Sequence, residues 1–143
     1  MRTTSLITLF TLASAAVGTN ITEFYTLGCP NSTKPHASQH EQLIAVNDFA
    51  NLLYLQKQIE TAEYKYVAKN FINHAPEVPG NGIALAIQTL KQLLPTSTIE
   101  IQRIFVGKDI NGKSFSTTHF KGISSVQGVG DIADIWRLIG TCE

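Results

Sequence analysis

The chain has 143 residues, of which 15% are charged, and its 11 basic and 11 acidic side chains give a formal net charge of zero. This length fits one globular domain with a hydrophobic core. The balanced charge, without a basic stripe, argues against nucleic acid as a partner.

The first 18 residues predict a secretion signal. Arg2 precedes the apolar stretch 6–17, which is too short to span a membrane easily, and Ala16-Val17-Gly18 fits a small-x-small cleavage pattern. An uncleaved anchor is the alternative interpretation. We therefore expect a secreted, extracellular protein that has no membrane contact after cleavage.

Residues 19–37 contain many Pro, Gly, Ser, Thr and Asn residues, which predicts an irregular N-terminal arm. The arm carries two glycosylation sequons, at Asn20 and Asn31. Cys29 and Cys142 are the only two cysteines. A disulfide between them is possible in an oxidising compartment, and two unpaired thiols are the alternative, because nothing in the sequence shows that the two ends meet.

Apolar residues at helical spacing predict helices over residues 39–57, 61–67 and 83–94. Ser38 and Glu41 have the spacing of a capping box at the start of the first helix. The remainder alternates as strands over 99–106, 114–122 and 131–139, with a turn at 109–112. Helices followed by consecutive strands indicate an α+β domain over residues 38–143, with the helices packed on one face of an antiparallel sheet.

Strand alternation selects Asp134 as a candidate general base. It shares one face of the last strand with Ile132, Trp136 and Leu138, so it is expected to be a lone carboxylate among large apolar neighbours. The structural alternative is an Asp that pairs with a buried Arg or caps a backbone N–H.

Two histidines are further candidates. His119 shares a face with Phe115 and Thr117, and it points either into the cavity of Asp134 or outward into solvent. His74 lies where a helix gives way to a loop with two prolines and two glycines, so it either faces a cavity or caps the helix end.

Several other chemistries find no support. The chain has no Gly-x-Ser-x-Gly elbow, no phosphate-binding glycine motif and no His-Glu-x-x-His motif. His36 and His40 have i, i+4 spacing, but no third ligand is evident, so no metal site is predicted.

Two motifs carry a family resemblance. Phe71-Ile72-Asn73-His74-Ala75-Pro76 and Asp131-Ile132-Ala133-Asp134-Ile135-Trp136-Arg137-Leu138, in this order, resemble the SnoaL-like polyketide cyclase family of the NTF2-like superfamily. The resemblance extends over about residues 40–140 and includes Phe49, Tyr66-Val67, Gly82 and His119-Phe120. The second motif is similar to the family's hallmark strand of the form Val-Asp-Ile-Phe-Arg.

The resemblance implies a cone-shaped α+β barrel with a curved, mostly antiparallel sheet around an apolar cavity. It implies that Asp134 acts as general acid and base in an aldol-type cyclisation or isomerisation of a small carbonyl compound, with His74 and His119 assisting. Phe49, Tyr66, Phe71 and Trp136 would contact the substrate. No metal or organic cofactor is needed in such a reaction, and a homodimer is a possible assembly.

The sequence departs from the family pattern at two places that affect function. Ala75 stands where family members usually have Asn, and the family's strand after the glycine matching Gly140 has no counterpart before Glu143. We therefore expect a final strand to be missing, as in a truncated chain. The alternatives to an enzyme are a non-catalytic binding module of the same fold and an inactive truncated paralogue.

Overall fold

The computed structural model describes residues 21–75, 78–124 and 128–143. The predicted signal segment and Asn20 lie outside these residues. In chain order the described part contains the helices α1 (Ile21–Thr26), α2 (Gln39–Ala50), α3 (Ile59–Tyr66) and α4 (Ile83–Leu93), a π-helical segment (Asn51–Leu55), a 3-10 turn (Leu94–Thr96), and the strands β1 (Ser97–Lys108), β2 (Ser114–Ser124) and β3 (Gly128–Leu138).

The three strands form one antiparallel sheet in the order β1-β2-β3. The α+β class is therefore confirmed. The described strands form an open sheet, and the closed, cone-shaped barrel stays a prediction.

Helix α2 begins where local chemistry predicts it. The Ser38 hydroxyl accepts a hydrogen bond from the Glu41 N–H at 3.2 Å, and the Ser38 N–H donates to the Glu41 carboxylate at 2.9 Å. These reciprocal bonds satisfy two backbone donors that a helix start otherwise leaves open. The π-helical segment then continues the helical path to Leu55, close to the predicted end at residue 57.

The other helices also lie close to their predicted positions. Helix α3 begins at Ile59 instead of Thr61, with Gln58 at its N-cap. Its buried residues Ile59, Ala62, Glu63 and Tyr66 recur at helical spacing and form one face. Helix α4 ends at Leu93, and Pro95 lies in the 3-10 turn that follows.

The hairpin between β1 and β2 is set by its turn. Gly112 has a φ of 77°, which favours glycine, and the Asp109 carboxylate accepts hydrogen bonds from the N–H groups of Asn111 and Lys113 at 2.9 and 2.8 Å. In the next hairpin, Thr118 lies opposite Asp134 and Ser116 lies opposite Trp136. These two pairs are on the sheet face that packs against the helices, because Ser116 and Thr118 are fully buried.

The N-terminal arm is more ordered than expected. The prediction of an irregular arm over residues 19–37 is wrong for Ile21–Thr26, which form α1. Phe24 anchors this helix because its ring is buried against Ala68, Ile139 and Cys142. Apolar burial of one ring thus orders a segment whose composition suggests a loop.

A disulfide bond joins Cys29 in the arm to Cys142 near the last residue, with Cα atoms 5.9 Å apart. Beside it, the Thr141 N–H donates to the Lys34 carbonyl at 3.0 Å, and the Lys34 N–H donates to the Thr141 hydroxyl at 2.8 Å. The disulfide and these hydrogen bonds therefore hold the segment after β3 against the arm. Among the described residues, this segment adds no further strand to the sheet.

In the part of the chain that the structure describes, no helix has the length and apolar character needed to cross a membrane.

Candidate functional site

Asp134 lies on the helix-facing side of β3 and contacts the helical layer directly. The Tyr54 hydroxyl, from the π-helical segment, donates a hydrogen bond to Asp134 Oδ2. Burial, followed by the nearby charge of Asp134, raises the pKa of Tyr54 well above its ordinary value. The phenol therefore stays protonated and remains a donor to the carboxylate.

Tyr54 and Asp134 lie in the wall of a cavity of about 380 Å³, which we call the Asp134 cavity. The rest of its wall is mostly aliphatic and aromatic, with contributions from α4, the 3-10 turn and all three strands, including Leu90, Leu93, Leu94, Ile99, Phe120 and Ile132. A partly buried carboxyl group among such side chains can orient a polar ligand.

Two further carboxyl groups lie in the interior near Asp134. Glu63 is 0% exposed and Glu143 is 5% exposed, and none of their four side-chain oxygens has a hydrogen-bond partner among the described residues. We call Glu63, Asp134 and Glu143 the buried carboxyl cluster. The expectation that Asp134 is a lone carboxylate is therefore wrong.

Two members of the buried carboxyl cluster, Glu63 and Glu143, have raised pKa values. Burial, and then the charge of Asp134, raises the pKa of Glu63 to about 8. Burial, followed by the charges of Asp134 and Glu63, raises the pKa of Glu143 well above its ordinary range. Burial and the neighbouring negative charge both oppose ionisation, so Glu63 and Glu143 are largely neutral at pH 7.

Backbone hydrogen bonds bring Glu143 into this cluster. The Glu143 N–H donates to the Tyr66 carbonyl at 2.9 Å, and its own carbonyl accepts from the Ala68 N–H at 2.8 Å. The preceding residue, Cys142, is held by the disulfide. The last residues therefore run along the C-terminal end of α3, which supplies Glu63 from its buried face.

A second cavity, of about 430 Å³, lies next to Trp136, and we call it the Trp136 cavity. The Phe71 and Trp136 rings, with centroids 5.7 Å apart and planes tilted by 42°, form part of its wall. The indole N–H of Trp136 is buried and has no hydrogen-bond partner among the described residues. Other contributors to the wall are Leu27, His74, Phe115 and Glu143.

The two predicted histidines do not meet Asp134. His119 lies opposite Ala133, one position out of phase with the Thr118–Asp134 pair, so it is on the other face of the sheet. The prediction that His119 points into the cavity of Asp134 is therefore wrong, and its outward-facing alternative is the one observed. His74 is exposed and contributes to the Trp136 cavity instead of the Asp134 cavity.

The four predicted substrate-contacting aromatic residues divide into two pairs. Phe71 and Trp136 line the Trp136 cavity. Phe49 and Tyr66 are core residues, 1% and 8% exposed, and they are absent from the walls of both cavities. The Phe49 ring packs edge-on against Tyr66 and Trp136, with centroid separations of 6.2 and 5.5 Å. Phe49 therefore supports the Trp136 ring, and Tyr66 packs behind Phe49.

Sequence reasoning missed Tyr54, Glu63 and Glu143. Glu63 carried a usable signal, because it lies four residues after Ile59 and three before Tyr66 and so falls on the apolar face of α3. Tyr54 follows Ala50 and Leu53 at helical spacing, which predicts burial but not its partner. No sequence pattern predicts that Glu143 is buried near Asp134, because only the disulfide and the hydrogen bonds of residues 141–143 bring it there.

The predicted glycosylation site Asn31 contributes to the wall of neither cavity. Asn31 is exposed, as a glycosylation acceptor must be. Among the described residues, no three His, Cys, Asp or Glu side chains are grouped in a way that suits a metal ion.

No protein-family model, curated protein or solved structure matches this chain. The resemblance to the SnoaL-like family therefore depends on the sequence motifs alone.

Proposed function

We propose that the protein is a secreted, cofactor-independent enzyme that transfers a proton on a small carbonyl compound, as in an isomerisation or an aldol-type cyclisation. The observation that supports this proposal is the Asp134 carboxylate, which is held by the Tyr54 hydroxyl in the wall of an apolar cavity. The SnoaL-like motifs favour the same chemistry. The N-terminal signal pattern and the disulfide favour an extracellular location.

The proposed reaction needs one base in the wall of a mostly apolar cavity. An Asp134 oxygen removes a proton from the carbon next to a carbonyl group, and the electron pair forms an enolate. In an isomerisation the proton returns from Asp134 to another carbon. In a cyclisation the enolate carbon attacks a second carbonyl of the same molecule, and the new alkoxide takes the proton. Both routes conserve all atoms and need no oxidant or reductant.

The buried carboxyl cluster supports the choice of Asp134 as the base. Its three groups compete for a limited amount of negative charge, because mutual repulsion in a poorly screened interior is costly. Tyr54 donates its hydrogen bond to Asp134, whereas Glu63 and Glu143 lack hydrogen-bond partners among the described residues. The Tyr54 hydroxyl thus gives Asp134 a fixed orientation and a donor suited to a carboxylate, which favours Asp134 over the two glutamates as the base.

The test measures exchange of the protons next to carbonyl groups in heavy water, followed by proton NMR for a panel of small ketones and 1,3-dicarbonyl compounds. Asp134→Asn keeps the shape of the side chain and removes the base, so we expect the exchange rate to fall by about a hundredfold or more. Asp131→Asn is the matched control, because Asp131 is exposed on the same strand. It should retain the wild-type rate within about twofold.

Exchange at the same rate in wild type and Asp134→Asn would refute the assignment of the base. Wild type that exchanges no compound faster than buffer would contradict the enzyme proposal for the compounds tested.

A non-catalytic binding module is the second candidate function. It is favoured by the positions of His74 and His119, since no described imidazole faces the Asp134 cavity to polarise a carbonyl group. This candidate predicts ligand binding without exchange, and binding that Asp134→Asn preserves.

A further inference from the structure

The sheet has two edge strands, β1 and β3, and their free edges differ in how far other groups cover them. On β1, carbonyl oxygens near both ends already accept hydrogen bonds, from the Gln39 amide to Val106 at 2.7 Å and from the Lys57 ammonium group to Ser97 at 2.8 Å. The ladder between β1 and β2 also contains a register shift. Covered groups and irregular backbone keep an edge strand from pairing with another chain.

The free edge of β3 has no such cover among the described residues. The strand pairs with β2 from Gly128 to Leu138 without a register shift, and it contains neither lysine nor proline. Residues 128–133 are all exposed, and the backbone hydrogen bonds outside the two ladders involve none of residues 128–133 and 135–138. About half of the backbone N–H and C=O groups of an edge strand point away from its neighbour. β3 therefore presents a long, regular row of backbone groups that can pair with another strand.

The Trp136 cavity lies along this edge. Ile135, Trp136 and Arg137 all contribute to its wall. Side chains of consecutive strand residues point to opposite faces, so a cavity that touches all three lies beside the strand and not over one face. The Asp134 cavity differs, because the β3 residues in its wall lie at alternate positions on the helix-facing side. The volume of about 430 Å³ beside the edge gives room for part of one further strand.

A second copy of β3 is the strand that suits this edge best. Pairing of β3 with β1 of another copy is disfavoured because the edge of β1 is partly covered, and such head-to-tail pairing would build open chains of subunits. Two β3 strands can instead pair antiparallel about a two-fold axis, which gives a closed dimer.

The accessible length of β3 indicates where this axis lies. Leu138 and the residues after it are buried, so the part of the strand that can pair extends from Gly128 to Trp136. The middle residue of this part is Ile132. An antiparallel pair that uses the whole accessible length therefore has Ile132 of each copy at its centre.

The side chains agree with the same register. With Ile132 at the centre, Val129 lies opposite Ile135 of the second copy, and both residues are 65% exposed in the single chain. Gly130 lies opposite Asp134 of the second copy, so the carboxyl group meets no bulky or acidic side chain. A register centred on Asp134 would instead place two acidic side chains opposite each other, which is unfavourable.

We propose that the protein forms a two-fold symmetric dimer by antiparallel pairing of β3 with β3 of a second copy, with Ile132 at the axis. The two three-stranded sheets become one six-stranded sheet, with both helical layers on the same side. The pairing satisfies the backbone groups of the β3 edge and brings the exposed Val129 and Ile135 side chains together. The dimer does not depend on the proposed enzyme activity.

Sedimentation velocity of the disulfide-bonded protein, at concentrations from about 1 to 100 μM, tests for the dimer. We expect twice the mass of one chain at the upper end of this range. A single chain at every concentration would overturn the proposal.

Two cysteine variants test the register. Ile132→Cys should give a covalent dimer on a non-reducing gel after mild oxidation, because directly opposite residues have Cα atoms about 4.5–5.5 Å apart, which a disulfide can span. Ala133→Cys is the matched control, since Ala133 is also exposed but lies diagonal to its counterpart, about 7–8 Å away, and it should give little covalent dimer. No covalent dimer from Ile132→Cys, or equal yields from both variants, would overturn the register.

Two lysine variants distinguish the edge of the sheet from its outer face, which is the face turned away from the helices. Val129→Lys should weaken dimerisation at least about tenfold, because its charge would lie against Ile135 of the second copy. Phe105→Lys is the control, since Phe105 is 55% exposed on the outer face but lies on β1, with β2 between it and β3. It should leave dimerisation unchanged, and circular dichroism checks that both variants fold.

A Val129→Lys protein that dimerises like wild type would overturn the proposal. A dimer that Phe105→Lys disrupts as strongly as Val129→Lys would also overturn it, because the two copies would then meet through the outer face. The exchange experiment on Asp134 is independent of all these outcomes.

Discussion

The Tyr54 hydroxyl donates a hydrogen bond to the carboxylate of Asp134, which lies 80 residues later in the chain. This contact joins the helical layer to the last strand of the sheet and orients the only member of the buried carboxyl cluster for which the structure shows a side-chain donor. Both residues line the same apolar cavity. The contact therefore links the stability of the domain to the chemistry proposed for it.

Tyr54→Phe should lower the free energy of unfolding by about 2 kcal/mol, because the partly buried Asp134 carboxylate loses a donor while the ring keeps its packing. The proton exchange rate should fall as well, by about tenfold, since Asp134 loses its orientation. Urea denaturation and the NMR exchange assay measure the two effects. Tyr64→Phe is the control, because Tyr64 is 60% exposed, and it should change the unfolding free energy by less than about 0.5 kcal/mol. Equal effects of both variants would show that the contact contributes little.

Glu63 should make the protein less stable as pH rises from about 4.5 to 8. Its pKa is about 8 in the folded state and near 4.5 when unfolded, so in this window only the unfolded chain releases the proton. The stabilisation that neutral Glu63 provides is complete below pH 4.5. Between pH 4.5 and the folded-state pKa of about 8 it is lost, at a rate on the order of 1 kcal/mol per pH unit. The raised pKa of Glu143 acts in the same direction.

Thermal unfolding of wild type and Glu63→Gln between pH 5 and 9 tests this prediction. The variant should show a clearly shallower fall in melting temperature, although Glu143 keeps part of the slope. Glu100→Gln should follow the wild-type curve, because Glu100 is exposed. Glu41 and Asp48 do not interfere, since their pKa values are lowered and their effect falls at more acidic pH. Parallel curves for wild type and Glu63→Gln would contradict the prediction.

Gly140→Ala should destabilise the domain by about 3 kcal/mol or more. Gly140 has a φ of 63°, and a Cβ atom there would lie 1.8 Å from the Lys34 carbonyl oxygen, so the tail would have to separate from the arm. Gly107→Ala is the matched control, because a Cβ atom at Gly107 meets nothing within 4 Å. Chemical denaturation of both variants measures the difference. A Gly140→Ala protein as stable as Gly107→Ala would show that the close contact between arm and tail is not required.

Replacing both Cys29 and Cys142 by Ser should lower the free energy of unfolding by about 4–5 kcal/mol in the chain-entropy account. The effect is large because the bond closes a loop with a sequence separation of 113 residues. Denaturation of the oxidised, reduced and double-Ser proteins provides the measurement. Reduced wild type should resemble the double-Ser variant. If a maleimide reagent labels both thiols in the native protein without reductant, the disulfide is absent.

Local sequence signals account for most of the secondary structure. Ser38 and Glu41 satisfy each other's backbone groups within one turn, so the start of α2 needs no information from elsewhere in the chain. The turn at Asp109–Gly112 is similarly local, because one glycine and one carboxylate determine it. The strand alternation around Asp134 also placed Trp136 and Asp134 correctly on one face.

The sequence by itself thus determined α2, α3, α4, the three strands and the coarse α+β class, since these depend on contacts over a few residues, whereas α1 depends on the burial of Phe24. The tertiary structure alone decided which side chains meet. Strand register put Thr118, and not His119, on the face of Asp134. The packing of α3 on the sheet brought Glu63 to Asp134, and the disulfide with the tail hydrogen bonds brought Glu143 to both. These contacts join residues far apart in the chain, and their energies depend on burial, which periodicity alone does not reveal.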